Sequence, residues 1–230
     1  KKLSKIEKVI SELPVLLPEI VEVCRKTADQ FIGTLNDCLR FSIPPRQAKI
    51  EKKYRDAKKA NQVFNNFQLN GLPKRCNAIE FPPNYDSYQY FLSIINEVTN
   101  QTRQTIVIFP NYNDVLNFKE YLDINNVSSQ ILSAEQEPSQ RYQSFLEILT
   151  TNVQVVVGTR NAVFAPVSNL GLIIVWDDCE ENYFSQQAPY WNVRQVANNR
   201  IKSSDSYLLI AGFGKSIKTF MDIKNGDIHE

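Results

Sequence analysis

From residue 75 onward, short runs rich in Val and Ile alternate with amphipathic stretches, and this rhythm constrains the fold more than any other feature of the chain. The runs are "CNAIEF", "QTIVIF", "VSSQIL", "VQVVV", "LGLIIVW" and "SYLLIA". Between several of them lie "SYQYFLSIINEVTN", "NDVLNFKEYLDIN" and "EPSQRYQSFLEILTT". Runs that are mostly apolar throughout read as strands buried on both faces. The intervening segments carry helical patterns; the last has Pro138 near its start and Phe145, Ile148 and Leu149 on one side. Strand, helix and strand in succession predict an α/β fold, a mainly parallel sheet with helices over both faces. Ligands of such sheets bind outside the C-terminal strand ends. Four stretches are thereby placed along one rim: Pro110-Asn111, Gly158-Thr159-Arg160, Asp177-Asp178 and Gly212-Phe213-Gly214.

With 230 residues, 43% hydrophobic and 22% charged, the chain can bury one sizeable core, or one core plus a smaller appendage. No apolar stretch approaches bilayer length and "KKLSKIEKVI" lacks the apolar centre of a signal peptide, so neither membrane nor export is expected. Cys24, Cys38, Cys76 and Cys179 lie far apart without a C-x-x-C pair, which favours free thiols in a cytoplasmic protein over zinc or disulfides. The single histidine, His229, stands beside the C-terminus, which argues against imidazole catalysis and His-ligated metals in the core. No metal site is expected. A net charge of +1 argues neither for nor against a polyanionic partner, so any basic patch has to be local.

Upstream, "LPEIVEVCRKTADQFIGTLNDCLRF" places Ile20, Val23, Cys24, Thr27 and Phe31 on one helical stripe, with Pro18 suited to a first turn and Pro44-Pro45 as the stop. Residues 1–45 thus read as a small helical piece, 46–74 as a basic linker or exposed helix, and 75–230 as the α/β lobe. The basic stretch carries Arg46, Lys49, Lys52, Lys53, Arg55, Lys58 and Lys59 against two acids. It is either a solvated face joining two bodies or a strip that contacts phosphates.

In "GLIIVWDDCEEN" a buried strand delivers Asp177 and Asp178 at its C-terminal end, as many nucleotide hydrolases do to hold magnesium beside a phosphate. The same acids could simply cap the next element or stay solvated. The companion phosphate loop needs glycines, so that backbone N–H groups can turn inward and approach the anion. Its expected place is after the first strand. There the chain has "FPPNYDSYQYF", whose two prolines remove amide donors, and no glycine occurs from Leu72 to Val157. No lysine lies between Lys74 and Lys119. A second location, "LLIAGFGKSIKTF", offers Gly214-Lys215-Ser216, but it has Leu209 where a phosphate loop needs glycine, and it follows the Asp177 strand instead of preceding it.

The stretch "GTRNAVFAPVSNLGLIIVWDD" resembles the helicase core of the PriA family, bacterial primosomal proteins that restart replication forks. That family carries a glycine-threonine-arginine-serine-alanine-hydrophobic-phenylalanine run, then proline, then asparagine-leucine-glycine leading into its magnesium strand. Residues 158–177 follow this order. The likeness continues into "NYFSQQAPYWNVRQVANNR", where the family has an aromatic-rich loop followed by an arginine-containing helix. Upstream, "QFIGTLNDCLRFSIPP" resembles the end of the family's N-terminal DNA-binding domain. The resemblance implies a RecA-like fold over 75–230, the first helicase lobe, with 1–45 as the C-terminal part of that DNA-binding domain.

The departures fall on the family's catalytic positions. "FPPNYDSYQY" stands for the glycine-rich Walker A loop, Asp177-Asp178-Cys179-Glu180 for Asp-Glu-Glu-His, and Ala211 to Lys215 for the Gly-Ser-Ala-Thr-Pro coupling motif. The winged-helix module and the second lobe with its zinc-binding cysteines are missing. The likeness is therefore to a degenerate branch, represented without its C-terminal part, where zinc would be expected. It implies a replication restart protein whose ATP and magnesium sites are lost, with no catalytic residue and with Asp177 and Asp178 as a relic Walker B motif. Thr159 and Arg160 match the family's contact to the nucleic-acid backbone, where a hydroxyl and a guanidinium suit phosphate oxygens. Arg160 could instead pair with a nearby acid. Tyr183, Phe184, Tyr190 and Trp191 could stack on unpaired bases, with Arg194 adding charge, or could form a small satellite core. The implied partners are branched or single-stranded DNA and replication-restart or helicase-loading proteins, in the cytoplasm at the nucleoid. Two other readings remain open: a working ATP-dependent translocase that uses Gly214-Lys215-Ser216, and a protein-only interaction module without salt-dependent DNA binding.

Overall fold

The computed structural model describes residues 13–54, 57, 67–151 and 153–230. Arg55, Lys58 and Lys59 of the basic stretch lie outside the described residues. The expected strands form one sheet: β1 (Cys76–Glu80), β2 (Gln104–Ile108), β3 (Ser129–Ile131), β4 (Val155–Gly158), β5 (Leu170–Trp176) and β6 (Tyr207–Gly212). Their order is β1-β6-β5-β2-β4-β3, and every pairing is parallel. The helices are α1 (Pro18–Gln30), α2 (Leu35–Ser42), α3 (Ala48–Glu51), α4 (Ser87–Asn100), α5 (Tyr112–Ile124), α6 (Pro138–Thr150), α7 (Val193–Ile201) and α8 (Ile217–Lys224). The α/β, RecA-like architecture expected from the sequence is present, and its sheet is wholly parallel.

Alternation along the strands divides the core in two, because successive side chains leave a strand on opposite faces. Ile106, Ile108, Val156, Ile173 and Val175 meet α1, α6 and α7 on one face. Val107, Val155, Val157, Leu172 and Ile174 meet α4 and α5 on the other. Both faces are thus dry, which is why these strands read as unbroken apolar runs. Gly158 ends β4 where a Cβ would lie 2.1 Å from the Leu132 carbonyl oxygen, so no side chain fits there.

The N-terminal helices share the first of these cores. The predicted stripe of α1 is buried at Ile20, Val23, Cys24 and Thr27. The apolar pattern suggests continuation through Phe31, but the helix stops there. Ile32 takes φ 54°, the Gly33 N–H donates to the Ala28 carbonyl (2.8 Å), and a capping box between Thr34 and Asp37 starts α2. A Cβ on Gly33 would lie 2.4 Å from the Pro189 Cβ, so glycine lets this turn abut the loop that precedes α7. Both described ends of the basic stretch are anchored on the lobe. Ile50 packs on the first core and the Tyr54 hydroxyl donates to Glu147 of α6 (3.0 Å), while Phe67, Leu69 and Leu72 are buried in the second. Among the described residues no helix is long and apolar enough to cross a membrane.

Candidate nucleic-acid interface

Parallel strands bring all their C-terminal ends to one edge, and the backbone there is knitted together. The Asp177 N–H donates to the Ala211 carbonyl (2.6 Å), that of Phe81 to Gly212 (2.9 Å), and that of Phe109 to Gly158 (3.0 Å). The Asn182 amide reaches the Asn111 side chain at 3.3 Å. The four stretches placed on a common rim by the sequence are therefore neighbours.

The corner after β1 is filled with aromatic carbon. Phe81 stacks on Tyr85 (centroids 5.0 Å apart, 9° between planes) and on Trp176 (6.1 Å, 28°). Tyr90 and Phe91 meet Phe81 edge-on, and Phe213 meets Trp176 in the same way (5.2 Å). Pro82 and Pro83 have no N–H to offer, and the amides of Tyr85 and Ser87 donate to the Pro82 and Tyr85 carbonyls (3.1 and 3.0 Å). Asp86 then caps α4 through the Gln89 N–H (3.0 Å).

The second location is equally committed. Lys215 Nζ lies 2.7 Å from a Glu80 carboxylate oxygen and also pairs with Glu230. Hydrogen bonds donated to these two carboxylates, Glu230 first and then Glu80, hold the Lys215 ammonium above its usual pKa. Asp178 accepts from the Ser216 N–H (3.1 Å), from the Ser216 hydroxyl (2.6 Å) and from the Thr219 hydroxyl. Ser216 in turn caps α8 by accepting from the Thr219 N–H at 3.1 Å. Asp178 thus buttresses Ser216, the residue that caps α8, from outside the helix. Asp177 sits in the left-handed region, φ 55°, and burial, followed by the adjacent Asp178 charge, pushes its carboxyl above the usual range. A nest of free amides, an unpaired lysine and an open pair of carboxylates are what a magnesium triphosphate needs. The residues at these two places do not fit one. Among the described residues no cluster of three or more His, Cys, Asp and Glu side chains could hold a metal ion.

The expected DNA-contacting residues divide. Thr159 is buried, its hydroxyl 2.8 Å from that of Ser133 and 3.2 Å from a Glu135 oxygen, so it faces inward. Arg160 opens a 3-10 turn, Arg160–Phe164. Its guanidinium donates to the carbonyls of Phe184 (2.8 Å) and Asn182 (3.3 Å) instead of pairing with an acid. Phe184 and Tyr190 are 52% and 64% exposed and could meet a base. Tyr183 and Trp191 correct the expectation of a four-ring stacking surface. Tyr183, 1% exposed, reaches the Ile108 carbonyl with its hydroxyl (3.0 Å), and burial, then the rim acids, raise its pKa well above the phenol's usual value. Trp191, 0% exposed, meets Phe41 and Phe164 edge-on (5.5 and 5.1 Å). Both rings are core, because a base cannot stack on a face that protein already covers. Arg194 is a further correction: it pairs with Asp222 of α8 at 2.5 Å and gives no charge to the loop.

Sequence reading missed a cavity of about 470 Å³ beside Arg160, lined also by Arg40, Arg141, Asn161, Gln186 and Gln187. No sequence signal joins Arg40 to Arg141, because they meet only where α2 and α6 pack around the Arg160 turn.

Fold and rim together define an α/β lobe of RecA-like type whose corner after β1 is built over with aromatic side chains. In sequence the chain is similar, along its whole length, to PriA replication restart proteins. It is 27% identical over 247 residues to the "Probable replication restart protein PriA" of Mycobacterium tuberculosis (strain CDC 1551 / Oshkosh), covering 100% of this chain and 38% of that one. For the Mycobacterium leprae protein the values are 26% over 249 residues, with the same coverage, and for Rickettsia prowazekii 22% over 239 residues, 96% of this chain and 36% of that one. The chain thus spans little more than a third of the length of these relatives. No family model matches it. Among solved structures, the Pyrococcus furiosus Hef helicase domain is similar with a TM-score of 0.48 at 15% identity, covering 67% of this chain and 34% of that one.

Proposed function

We propose that this chain is the DNA-binding, ATPase-silent lobe of a replication restart protein. It binds single-stranded or branched DNA at stalled forks and presents a platform for replication-restart and helicase-loading proteins, in the cytoplasm at the nucleoid. The observation that carries this reading is the aromatic packing of Phe81, Tyr85, Trp176 and Phe213 where a phosphate loop would have to open. The similarity to PriA proteins along the whole chain supports the DNA role.

Arg160 has the chemistry of a backbone contact. Carbonyl oxygens hold the guanidinium in place without neutralising it, so its charge stays available to a phosphodiester. Phe184 and Tyr190 offer two exposed rings on the same loop for unpaired bases. ATP and magnesium play no part in this reading.

Fluorescence anisotropy with labelled single-stranded and forked oligonucleotides, titrated between about 50 and 200 mM salt, tests the DNA role. Affinity should fall steadily with salt, with a log–log slope near −0.7 for each phosphate contacted on a single strand. Absence of salt-dependent binding would leave a protein-only interaction module as the correct description.

A further inference from the structure

We propose that the cavity between α2, α6 and the Arg160 turn is a phosphate-binding site that takes a phosphate of a single-stranded nucleic-acid backbone. The assignment to a nucleic acid rests on the DNA-binding reading above; the preference for phosphate rests on the cavity itself.

Three guanidinium-bearing residues, Arg40, Arg141 and Arg160, line this space against one acid, Asp37. Asp37 is already occupied: its carboxylate accepts from the Thr34 N–H (3.1 Å) and hydroxyl (2.6 Å), bonds that hold it below the usual carboxylate range. The acid that acts on Arg141 is Glu135, which accepts hydrogen bonds from the Ser133 and Thr159 hydroxyls. The guanidiniums of Arg40 and Arg141 make no hydrogen bond or ion pair with any described residue. Burial works against the Arg141 charge, with only partial compensation from Glu135. A partly desolvated guanidinium without an acceptor is costly, and an anion that replaces the lost water removes that cost.

The neutral lining has matching chemistry. The side-chain amides of Gln186 and Gln187 supply donors, and Asn161 has a buried side-chain oxygen without a partner, a position where a turned amide would present N–H groups. Guanidinium forks match phosphate oxygens in pairs. The volume, about 470 Å³, admits a phosphate with its flanking sugars. The exposed rings of Phe184 and Tyr190 lie on the same loop, so a strand gripped here by its phosphate would carry its bases toward them. A second polar cavity, about 370 Å³, has a smaller surplus: Arg194, Lys202 and Lys218 face Asp222 and Asp227, and Arg194 and Lys218 are both paired with Asp222.

The test follows arginine side-chain N–H resonances in the full chain while inorganic phosphate is added. Saturable shifts at Arg40, Arg141 and Arg160, with none at Arg194, are expected. Arg40→Gln, at an exposed position, and Arg141→Gln should each weaken phosphate binding about tenfold, the worth of one charge-assisted contact. Shifts that do not saturate, or that appear equally at Arg194, overturn the site. A mixed-sequence single-stranded oligonucleotide forms the second arm. Each variant should lower its affinity and reduce the salt slope by about 0.7, while Lys119→Gln on α5 matches wild type. Saturable phosphate binding with oligonucleotide affinity untouched in both variants would overturn the assignment to a strand and leave a site for free phosphate. Phosphate saturation in a protein that binds no oligonucleotide at all would retain the anion site and sink the DNA-binding function instead.

Discussion

Arg200 is fully buried, and its guanidinium donates to the Val163 and Ala165 carbonyls (2.7 and 2.9 Å) and to Glu19 of α1 (2.9 Å). One side chain thereby ties α7, the end of the Arg160 turn, and the N-terminal helix. Arg200→Ala strands two carbonyls and a carboxylate, and urea unfolding should register a loss of about 3–5 kcal/mol. Trp191→Ala should cost a similar amount, about 3–5 kcal/mol, as truncation of a fully buried ring does. Its folded fraction should retain oligonucleotide affinity. The opposite pattern is expected at Phe184 and Tyr190, where alanine leaves stability nearly unchanged and removes about 1–3 kcal/mol of binding per stacked base. Anisotropy and denaturation on the same three variants separate the two classes. Asp177 gives a pH signature. Its folded pKa is raised, so its contribution is present below the unfolded carboxylate value and is lost as pH rises through the folded value. Asp177→Asn, which tolerates the left-handed backbone, should therefore be stabilising near pH 7. In melting curves run from acid to neutral pH, the difference from wild type should grow upward from about pH 4.

At the scale of elements, the Ser216 cap of α8 is held in place by an acid from outside the helix. Asp178 orders Ser216 and Thr219 at its first turn, so Asp178→Ala should cost about 1–2 kcal/mol and speed amide exchange in that turn. The six strands were legible in sequence because both sheet faces are dry, which turns each strand into a run of Val, Ile and Leu. The break between α1 and α2 was not legible. The apolar stripe runs on through Phe31, and the chain turns at a left-handed Ile32, a conformation that nothing in a β-branched residue announces, with Gly33 fitted against Pro189, 156 positions further along. The aromatic loop shows a related limit. Composition marks Tyr183, Phe184, Tyr190 and Trp191 alike, yet the fold turns the outer two inward and leaves the middle pair exposed. Which ring is buried depends on Phe41 and Phe164, contributed by distant parts of the chain. The rim itself was readable, since parallel strands must end together. Arg40 and Arg141 were not, because their convergence is a product of helix packing.

For the whole molecule, we propose that the aromatic corner and the committed Asp178 leave a RecA-like lobe that holds nucleic acid and does not hold a triphosphate. Salt-dependent oligonucleotide binding tests the first property, and nucleotide affinity tests the second. Isothermal calorimetry of the full chain with magnesium-ATP, with and without single-stranded DNA, is the most direct test of the central claim. It should show no binding up to about 1 mM nucleotide, the affinity range of a negligible site, and no turnover in either condition. Micromolar binding accompanied by DNA-stimulated hydrolysis would contradict it.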